Sequence, residues 1–298
     1  MTKAPRVVLV TRQTEYTELL HRHATHGQAA FFLKSRGLNI NKVRARHLSF
    51  EQARELVLHS IPMEWRRTSV GRADLCRFVF EPEDIVVALG QDGLVANTAK
   101  YLHGQVVIGL NAEPERNMGV LVLHAPQNTR ELLDLAVSGR CKIQSRTMVE
   151  ARLDDGQRLL ALNEVFVGHR SHQSARYQLC RGEQEERQVS SGVIISTGTG
   201  ATGWAASINR ERGVFVRLPE PEERGLAFFV REAYGSLGTG TGLTAGVLGA
   251  EDCLRLTSEM NDGGVLFGDG IEDDRLEFRW GMGATLRTAP QSLSLLAA

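Results

Sequence analysis

The chain has 298 residues, enough for one large domain or two ordinary ones. Lysine plus arginine and aspartate plus glutamate each number 35, so the formal net charge is zero, and hydrophobic residues make up 42%. This balance excludes a nucleic-acid coating protein with a large positive surface and is typical of a globular protein. The amino-terminal segment is too short and too charged for a signal peptide, and no apolar run reaches membrane-spanning length. Four scattered cysteines form no C-x-x-C pair, and together these features predict a cytoplasmic protein with reduced thiols.

The first part of the chain alternates between strand-like and helix-like segments. Gly27 is the expected break in the first helical stretch, and Ser49 followed by Gln52 is a capping box that opens another helix. Alternation of this kind predicts an α/β domain with a parallel sheet. The predicted segments are a strand at 6–12, helical residues at 14–34, a helix from 49, a strand at 84–90, a helix at 94–102 and a strand at 105–111.

Beyond Pro114 the chain is richer in short strands. Asp155-Gly156 is a strong hairpin signal, and strand-like runs at 174–182 and 191–197 follow it. We therefore predict an α/β domain at 1–112 and a β-rich, sandwich-like domain at 113–298, with a C-terminal tail that could pack back on the first domain.

The stretch "STGTGATGW" (196–204) contains Gly198, Gly200 and Gly203 in a G-x-G-x-x-G pattern after a strand. With Glu220 downstream, it predicts the dinucleotide site of a dehydrogenase. The helix that follows is short and the context is β-rich, so a glycine-rich loop without a ligand is the competing interpretation. The cluster of His21, His23 and His26 fits no zinc-finger spacing and is interpreted as surface or packing histidines.

The stretch "GQDG" (90–93) ends an apolar strand and opens a helix. It is typical of a tight turn, because Asp-Gly is a common turn dipeptide. The alternative is phosphoryl transfer, in which the glycines admit phosphate to the backbone and Asp92 accepts the proton of an attacking hydroxyl.

Four blocks in order resemble the NAD kinase family, and two of them look closest to the branch that includes mitochondrial NAD kinases. "ALGQDGLVANTAKYL" resembles its Gly-Gly-Asp-Gly-Thr segment, and "VIGLNAEPER" its strand ending in Asn-Thr-Asp-Pro. "LNEVFVG" carries its Asn-Glu pair, and "STGTGATGWAASINR" resembles its Ser-Thr-x-Thr-Gly loop.

The resemblance implies an α/β domain followed by a β-sandwich-like domain, and phosphorylation of the adenosine-ribose 2′-hydroxyl of NAD by ATP with Mg²⁺. It implies a homodimer, no direct protein ligand to the metal, and no nucleic-acid or membrane partner. Asp92 is then the catalytic base. The implied binding residues are Gly90, Gln91, Gly93, Asn111, Asn163, Glu164, Thr199, Gly200, Thr202, Trp204 and Ser207.

The departures from the family pattern lie on the phosphate side. Gln91 stands where the family has glycine, and Leu94 where it has threonine. Ala112 and Glu113 replace a Thr-Asp pair. These changes motivate an alternative, a weak or inactive homologue that binds NAD(P) or a related nucleotide in a regulatory role. A kinase of another small acceptor is the remaining possibility.

Overall fold

A computed structural model describes residues 4–213 and 215–297. The chain forms two compact units, Met1–Ile143 with Ser294–Ala298, and Gln144–Leu293. The boundary expected between residues 112 and 113 therefore lies 31 residues too early. The reason is a helix at Thr129–Ser138, not expected from the sequence, whose Leu132 and Leu133 pack in the core of the first unit.

The elements of the first unit are β1 (Arg6–Thr11), α1 (Glu15–His23), α2 (His26–Lys34), α3 (Ile40–Ser60), β2 (Arg66–Gly71), β3 (Asp84–Gly90), α4 (Asp92–Ala99), β4 (Val106–Asn111) and α5 (Thr129–Ser138). Those of the second unit are β5 (Lys142–Leu153), β6 (Arg158–Ala161), β7 (Glu164–His169), β8 (Ala175–Arg181), β9 (Gln184–Ser190), β10 (Val193–Ser196), α6 (Trp204–Glu211), β11 (Leu226–Val230), β12 (Ala245–Leu248), β13 (Cys253–Ser258), β14 (Gly264–Gly268), β15 (Ile271–Glu277) and β16 (Gly283–Ala297). Of these, β5 begins and β16 ends with residues that belong to the first unit.

The first unit is built on a parallel sheet in the order β2-β1-β3-β4, and the last residues of β16 pair in parallel with β4. Every residue of β3 is buried, as expected for an apolar strand covered on both faces. Because β2 and β3 flank β1, the winding of the chain reverses between β1 and β3. Sheets of this kind bind ligands in the crevice at the carboxyl ends of the strands beside such a reversal.

Two helix boundaries differ from the predicted ones. The break between α1 and α2 is at Ala24, which has a left-handed φ of 59°, while Gly27 lies inside α2. The third helix begins much earlier than Ser49, because the side chain of Asn39 accepts a hydrogen bond from Asn41 N–H (2.9 Å) and caps it. Residues downstream of Asn39 therefore continue one long helix.

The second unit contains two layers of antiparallel strands, in agreement with the predicted sandwich-like domain. One layer has the order β12-β11-β10-β7-β14-β15, and the other contains β16, β13, β8 and β9 with β5 and β6 attached. The predicted hairpin at Asp155-Gly156 joins β5 and β6. Fully buried Tyr177, Phe228 and Leu266 belong to one apolar core.

None of the helices in residues 4–213 and 215–297 combines the length and apolar character that crossing a membrane requires.

Candidate functional site

The carboxylate of Asp92, the first residue of α4, is held by the backbone of a distant loop. Its Oδ1 accepts hydrogen bonds from the N–H groups of Leu121 (2.8 Å) and Val122 (3.1 Å), and Val120 N–H donates to Oδ1 (3.0 Å) and Oδ2 (2.9 Å). Such charge-assisted bonds fix the orientation of the carboxylate. Within the described residues Oδ2 receives only the bond shared by Val120, so it is the oxygen that can accept a further donor.

Asn111 shapes the loop that carries these three donors. It is paired with Gly90 across β3 and β4 and is buried. Its Nδ2 donates to the carbonyl of Asn117 (2.8 Å), and its Oδ1 accepts from the N–H of Glu113 (3.0 Å). Asn111 therefore holds the backbone of the loop that follows it, and this loop carries the N–H groups that bind Asp92.

The side chain of Leu94 is buried. It is 3% exposed, and a Cβ added at Gly90 would meet Leu94 Cδ2 at 3.3 Å. The leucine thus packs in the core under the turn, so the hydroxyl that a threonine would carry here would also be buried. At Gly93 an added Cβ would meet nothing within 4 Å, so this glycine leaves open space beside the turn.

A cavity of about 200 Å³ lies at the carboxyl ends of β1 and β3. Gln91 lines it, together with Arg12 and Arg116, which form no salt bridge within the described part of the chain. A third arginine, Arg46, is paired with Glu15 at 2.6 Å. The remaining lining residues are Gln13, Thr14, Val43, His47, Phe50, Gly90, Ala112, Glu113 and Asn117. Two unpaired guanidinium groups beside a strand-to-helix turn suit a phosphate-bearing ligand.

In the second unit, the backbone before Glu164 is held by Asp269, a residue that the sequence did not single out. Asp269 Oδ1 accepts from the N–H of Asn163 (2.7 Å), and Oδ2 accepts from the N–H of Leu162 (3.0 Å). The N–H of Asp269 donates to the carbonyl of Glu164 (3.0 Å). Asp269 lies in the tight turn between β14 and β15 and has a left-handed φ of 55°.

Glu164 is the most perturbed carboxyl group of this region. Burial, and to a smaller extent the negative charge of Asp269, raise its pKa from 4.5 to about 7. At neutral pH the group is therefore present in both protonation states, and it can donate a hydrogen bond to a ligand as well as accept one.

The loop after β10 packs on the same segment. Thr197 donates from its N–H to the carbonyl of Asn163 (2.9 Å) and from its Oγ1 to the carbonyl of Leu162 (2.5 Å). A Cβ at Gly200 would lie 2.3 Å from the carbonyl oxygen of Asn163, so glycine is required there. Thr199 is 4% exposed, and its hydroxyl has no hydrogen-bond partner among the described residues. A buried hydroxyl without a partner is a candidate ligand contact.

The dehydrogenase interpretation of this loop is wrong. A Cβ at Gly198 would lie 2.0 Å from the carbonyl oxygen of Glu220, so this glycine permits backbone packing. The strand that follows α6 is β11, and it pairs antiparallel with β10. A dinucleotide-binding β-α-β unit needs parallel strands joined by a crossover helix.

Trp204 lies at the edge of a second cavity, of about 470 Å³, in the second unit. Its ring stacks on Phe166 with centroids 6.1 Å apart, and the guanidinium of Arg231 lies 5.2 Å from the ring centroid. The side chains of the exposed residues Thr202 and Ser207 donate to nearby backbone carbonyls, Thr202 to Thr199 (3.4 Å) and Ser207 to Gly203 (3.5 Å). An aromatic ring beside arginine side chains suits a flat ring of a ligand, such as a nucleotide base.

The predicted site residues thus fall into two groups. Gly90, Gln91, Asp92, Gly93 and Asn111 lie together at one edge of the parallel sheet. The residues predicted in the second unit surround the start of β7 and the start of α6, and they are Asn163, Glu164, Thr199, Gly200, Thr202, Trp204 and Ser207.

No family model matches the chain. Among curated proteins, the NAD kinase of Chlorobaculum tepidum is 31% identical over 144 residues, which cover 46% of this chain and 50% of that protein. The NAD kinase of Methylococcus capsulatus is 34% identical over 133 residues, or 42% of this chain and 44% of that protein. The chain therefore spans about half the length of the curated relatives it matches.

Two solved structures cover nearly all of it. An NAD kinase from Archaeoglobus fulgidus in complex with ATP has a TM-score of 0.60 at 17% identity, covering 98% of this chain and 93% of that one. Yeast NADH kinase complexed with NADH has a TM-score of 0.62 at 15% identity, covering 100% and 84%. The chain is similar in sequence to NAD kinases over nearly half of its length, and it has the fold of the solved NAD kinases. The family resemblance and the fold class expected from the sequence are confirmed, and the placement near the mitochondrial branch stays a prediction.

Sequence reasoning missed Asp269, Thr197 and two arginines of the first unit that form no salt bridge with any residue the structure describes. The stretch "FGDGIEDD" around Asp269 has an Asp-Gly turn signal, but that signal says nothing of its partners 106 and 107 residues earlier. The arginines, Arg12 and Arg116, are brought to one cavity only by the order of the strands.

Proposed function

We propose that this protein transfers the γ-phosphate of ATP to the adenosine-ribose 2′-hydroxyl of NAD. The observation that carries the proposal is Asp92, a carboxylate fixed by three backbone N–H groups at the end of a buried parallel strand in an NAD kinase fold. A carboxylate so oriented, with one oxygen able to accept a further donor, is what an attacking hydroxyl requires.

In the proposed reaction the 2′-oxygen attacks the γ-phosphorus, and the bond from that phosphorus to the bridging oxygen of ADP breaks. Oδ2 of Asp92 accepts the proton of the hydroxyl, and ADP leaves with the bonding electron pair. Oδ1 stays with the backbone donors of Leu121 and Val122, so the carboxylate keeps its orientation during the transfer.

The donor phosphates belong, in this proposal, in the cavity of the first unit, which Gly90, Gln91, Arg12 and Arg116 line. Gly93 leaves open space beside the same turn. Within the described residues no cluster of three or more His, Cys, Asp or Glu side chains is arranged to hold a metal. In this proposal Mg²⁺ would be bound by the oxygen-rich phosphates of ATP and would neutralise the charge that develops on them.

The dinucleotide belongs beside the second group of residues. Glu164, with its raised pKa, suits a bond to a ribose hydroxyl, and the buried hydroxyl of Thr199 suits a further polar contact. Trp204 offers an aromatic face for a base or the nicotinamide ring. Asn163, Gly200, Thr202 and Ser207 complete the proposed binding set.

One observation favours a second candidate, a homologue that binds NAD(P) without efficient catalysis. The side chain of Gln91 lines the cavity where the phosphates would lie, and glycine there would let them approach the backbone. The burial of Leu94 removes one further argument for lost activity, because that side chain is in the core.

Incubation with ATP, Mg²⁺ and NAD, followed by an assay for NADP, tests the proposal. We expect Asp92→Asn to lower kcat by about 10²–10⁴-fold, the usual contribution of a general base. Asp134→Asn, a change on the exposed surface of α5, is the control and should leave kcat unchanged. NAD binding without NADP formation in the unmodified protein would support the second candidate instead.

We further propose that the protein acts in the cytoplasm as a homodimer. Sedimentation at several protein concentrations tests the dimer, and cell fractionation tests the compartment. A monomer at micromolar concentration would contradict the first of these.

A further inference from the structure

Asp269 adopts a backbone conformation that few residues other than glycine tolerate. Its φ is 55°, and it is followed by Gly270 at 68° in the two-residue connection between β14 and β15. Asp and Asn are the side chains most often found in this left-handed region, and such positions cluster where a function requires them. The turn therefore favours aspartate at position 269, and the carboxylate also makes hydrogen bonds outside the turn.

The carboxylate of Asp269 holds a backbone segment from another part of the chain, residues 162–164. Each carboxylate oxygen accepts a different N–H, at 2.7 Å from Asn163 and at 3.0 Å from Leu162. The N–H of Asp269 also donates to the carbonyl of Glu164 at 3.0 Å. Two donors and one acceptor of the segment therefore have Asp269 as their partner, and this fixes the direction in which β7 begins.

The segment is also held from its opposite side. Thr197 bonds the carbonyl groups of Leu162 and Asn163, and its Oγ1 accepts from the N–H groups of Thr199 (3.1 Å) and Gly200 (3.3 Å). A displacement of the segment would therefore move the Thr199–Gly200 loop with it. Asp269 lies at one end of this sequence of bonds, and the proposed dinucleotide contacts lie at the other.

We propose that Asp269 is a positioning residue for the dinucleotide, which orients Asn163, Glu164 and the Thr199–Gly200 loop through backbone hydrogen bonds. This inference rests on the proposed function, because the residues that Asp269 would position are those proposed to bind the acceptor dinucleotide. The ligand class is a dinucleotide with a ribose hydroxyl facing Glu164. Misplacement of such contacts by about 1 Å can cost a hundredfold in rate.

Asp269→Asn is the informative substitution. Asparagine tolerates the left-handed turn as aspartate does, so the backbone conformation is kept. Its amide has one acceptor oxygen, and its NH₂ group would face one of the two N–H donors, so one bond is lost. Asp155→Asn is the matched control, since Asp155 also occupies an Asp-Gly hairpin turn but bonds only Gln157 within the described residues.

The readouts are calorimetric affinity for NAD, the KM values for NAD and ATP, and the melting temperature. We expect Asp269→Asn to raise the dissociation constant and the KM for NAD by about tenfold or more, with the KM for ATP within twofold. Asp155→Asn should change none of these affinities. Equal effects of the two variants, or equal changes of both KM values in Asp269→Asn, would overturn the positioning role.

A second measurement separates this inference from the proposed reaction. Because Glu164 is one of the residues that Asp269 positions, the loss of NAD affinity in the double variant should be smaller than the sum of the losses in Asp269→Asn and Glu164→Gln. If the unmodified protein binds NAD but forms no NADP, the proposed reaction fails and the calorimetry alone still decides the role of Asp269. If it binds no NAD, both fail. Additive losses overturn the positioning role by themselves.

Discussion

Replacement of Glu164 by glutamine should stabilise the protein at alkaline pH while weakening its proposed ligand site. Burial and the charge of Asp269 raise the pKa of this carboxyl from 4.5 to about 7. A carboxyl whose folded pKa lies above the unfolded value binds more protons in the folded state, so stability falls as pH rises from 4.5 to 7. At about 1.4 kcal/mol for each pH unit of that interval, the full cost, reached above pH 7, is about 3 to 3.5 kcal/mol.

The assay is urea or thermal unfolding of wild type and Glu164→Gln between pH 4.5 and 9. We expect the variant to exceed the wild type by about 3 kcal/mol at pH 8.5 and by about 1 kcal/mol at pH 5. Glu251→Gln, a change of an exposed carboxylate in the same unit, should show no such trend. A stability difference between wild type and Glu164→Gln that does not change with pH would refute the reasoning. NAD affinity should fall in the variant, the usual exchange of activity for stability.

Three further predictions concern the first unit. Leu94→Thr should destabilise the protein by about 1–3 kcal/mol without raising activity, because the hydroxyl would be buried in the core. Gln91→Gly, in contrast, should raise kcat. Unfolding curves and NADP formation check both variants, and higher activity in Leu94→Thr would contradict the buried position of this side chain. Arg116→Gln should raise the KM for ATP by about ten- to a hundredfold through loss of a charge-assisted bond, with the KM for NAD unchanged. Arg44→Gln, at an exposed position of α3 outside the cavity, is its control, and equal changes of both KM values in Arg116→Gln would count against a donor-phosphate contact.

Local signals in the sequence were sufficient for the strands that lead to the site. The apolar runs at 84–90 and 105–111 became β3 and β4 with boundaries within one residue, and the Asp-Gly hairpin at 155–156 formed as expected. Each of these depends on neighbours in the chain, through side-chain periodicity or turn preference.

Competing local signals and long-range contacts account for the rest. Ser49 has a sound capping pattern, but Asn39 caps the same helix ten residues earlier and Ser49 is carried inside it. The sequence alone suggests that Leu94 replaces a phosphate contact, whereas in the structure its side chain is buried in the core. Asp269 and its partners at 162 and 163 are too far apart in sequence for any local pattern to connect them.

The end of β16 has a consequence for how the protein is made. Ser294 and Leu295 pair with Val106 and Val107 of β4, and the ring of His124 meets the carbonyl of Leu296 at 3.0 Å. One edge of the parallel sheet therefore stays open during synthesis until nearly two hundred further residues have been translated. During that interval the exposed β4 edge can pair with other chains. Slow elongation, or termination before β16 is made, would thus favour aggregation of a first unit that already contains its other strands.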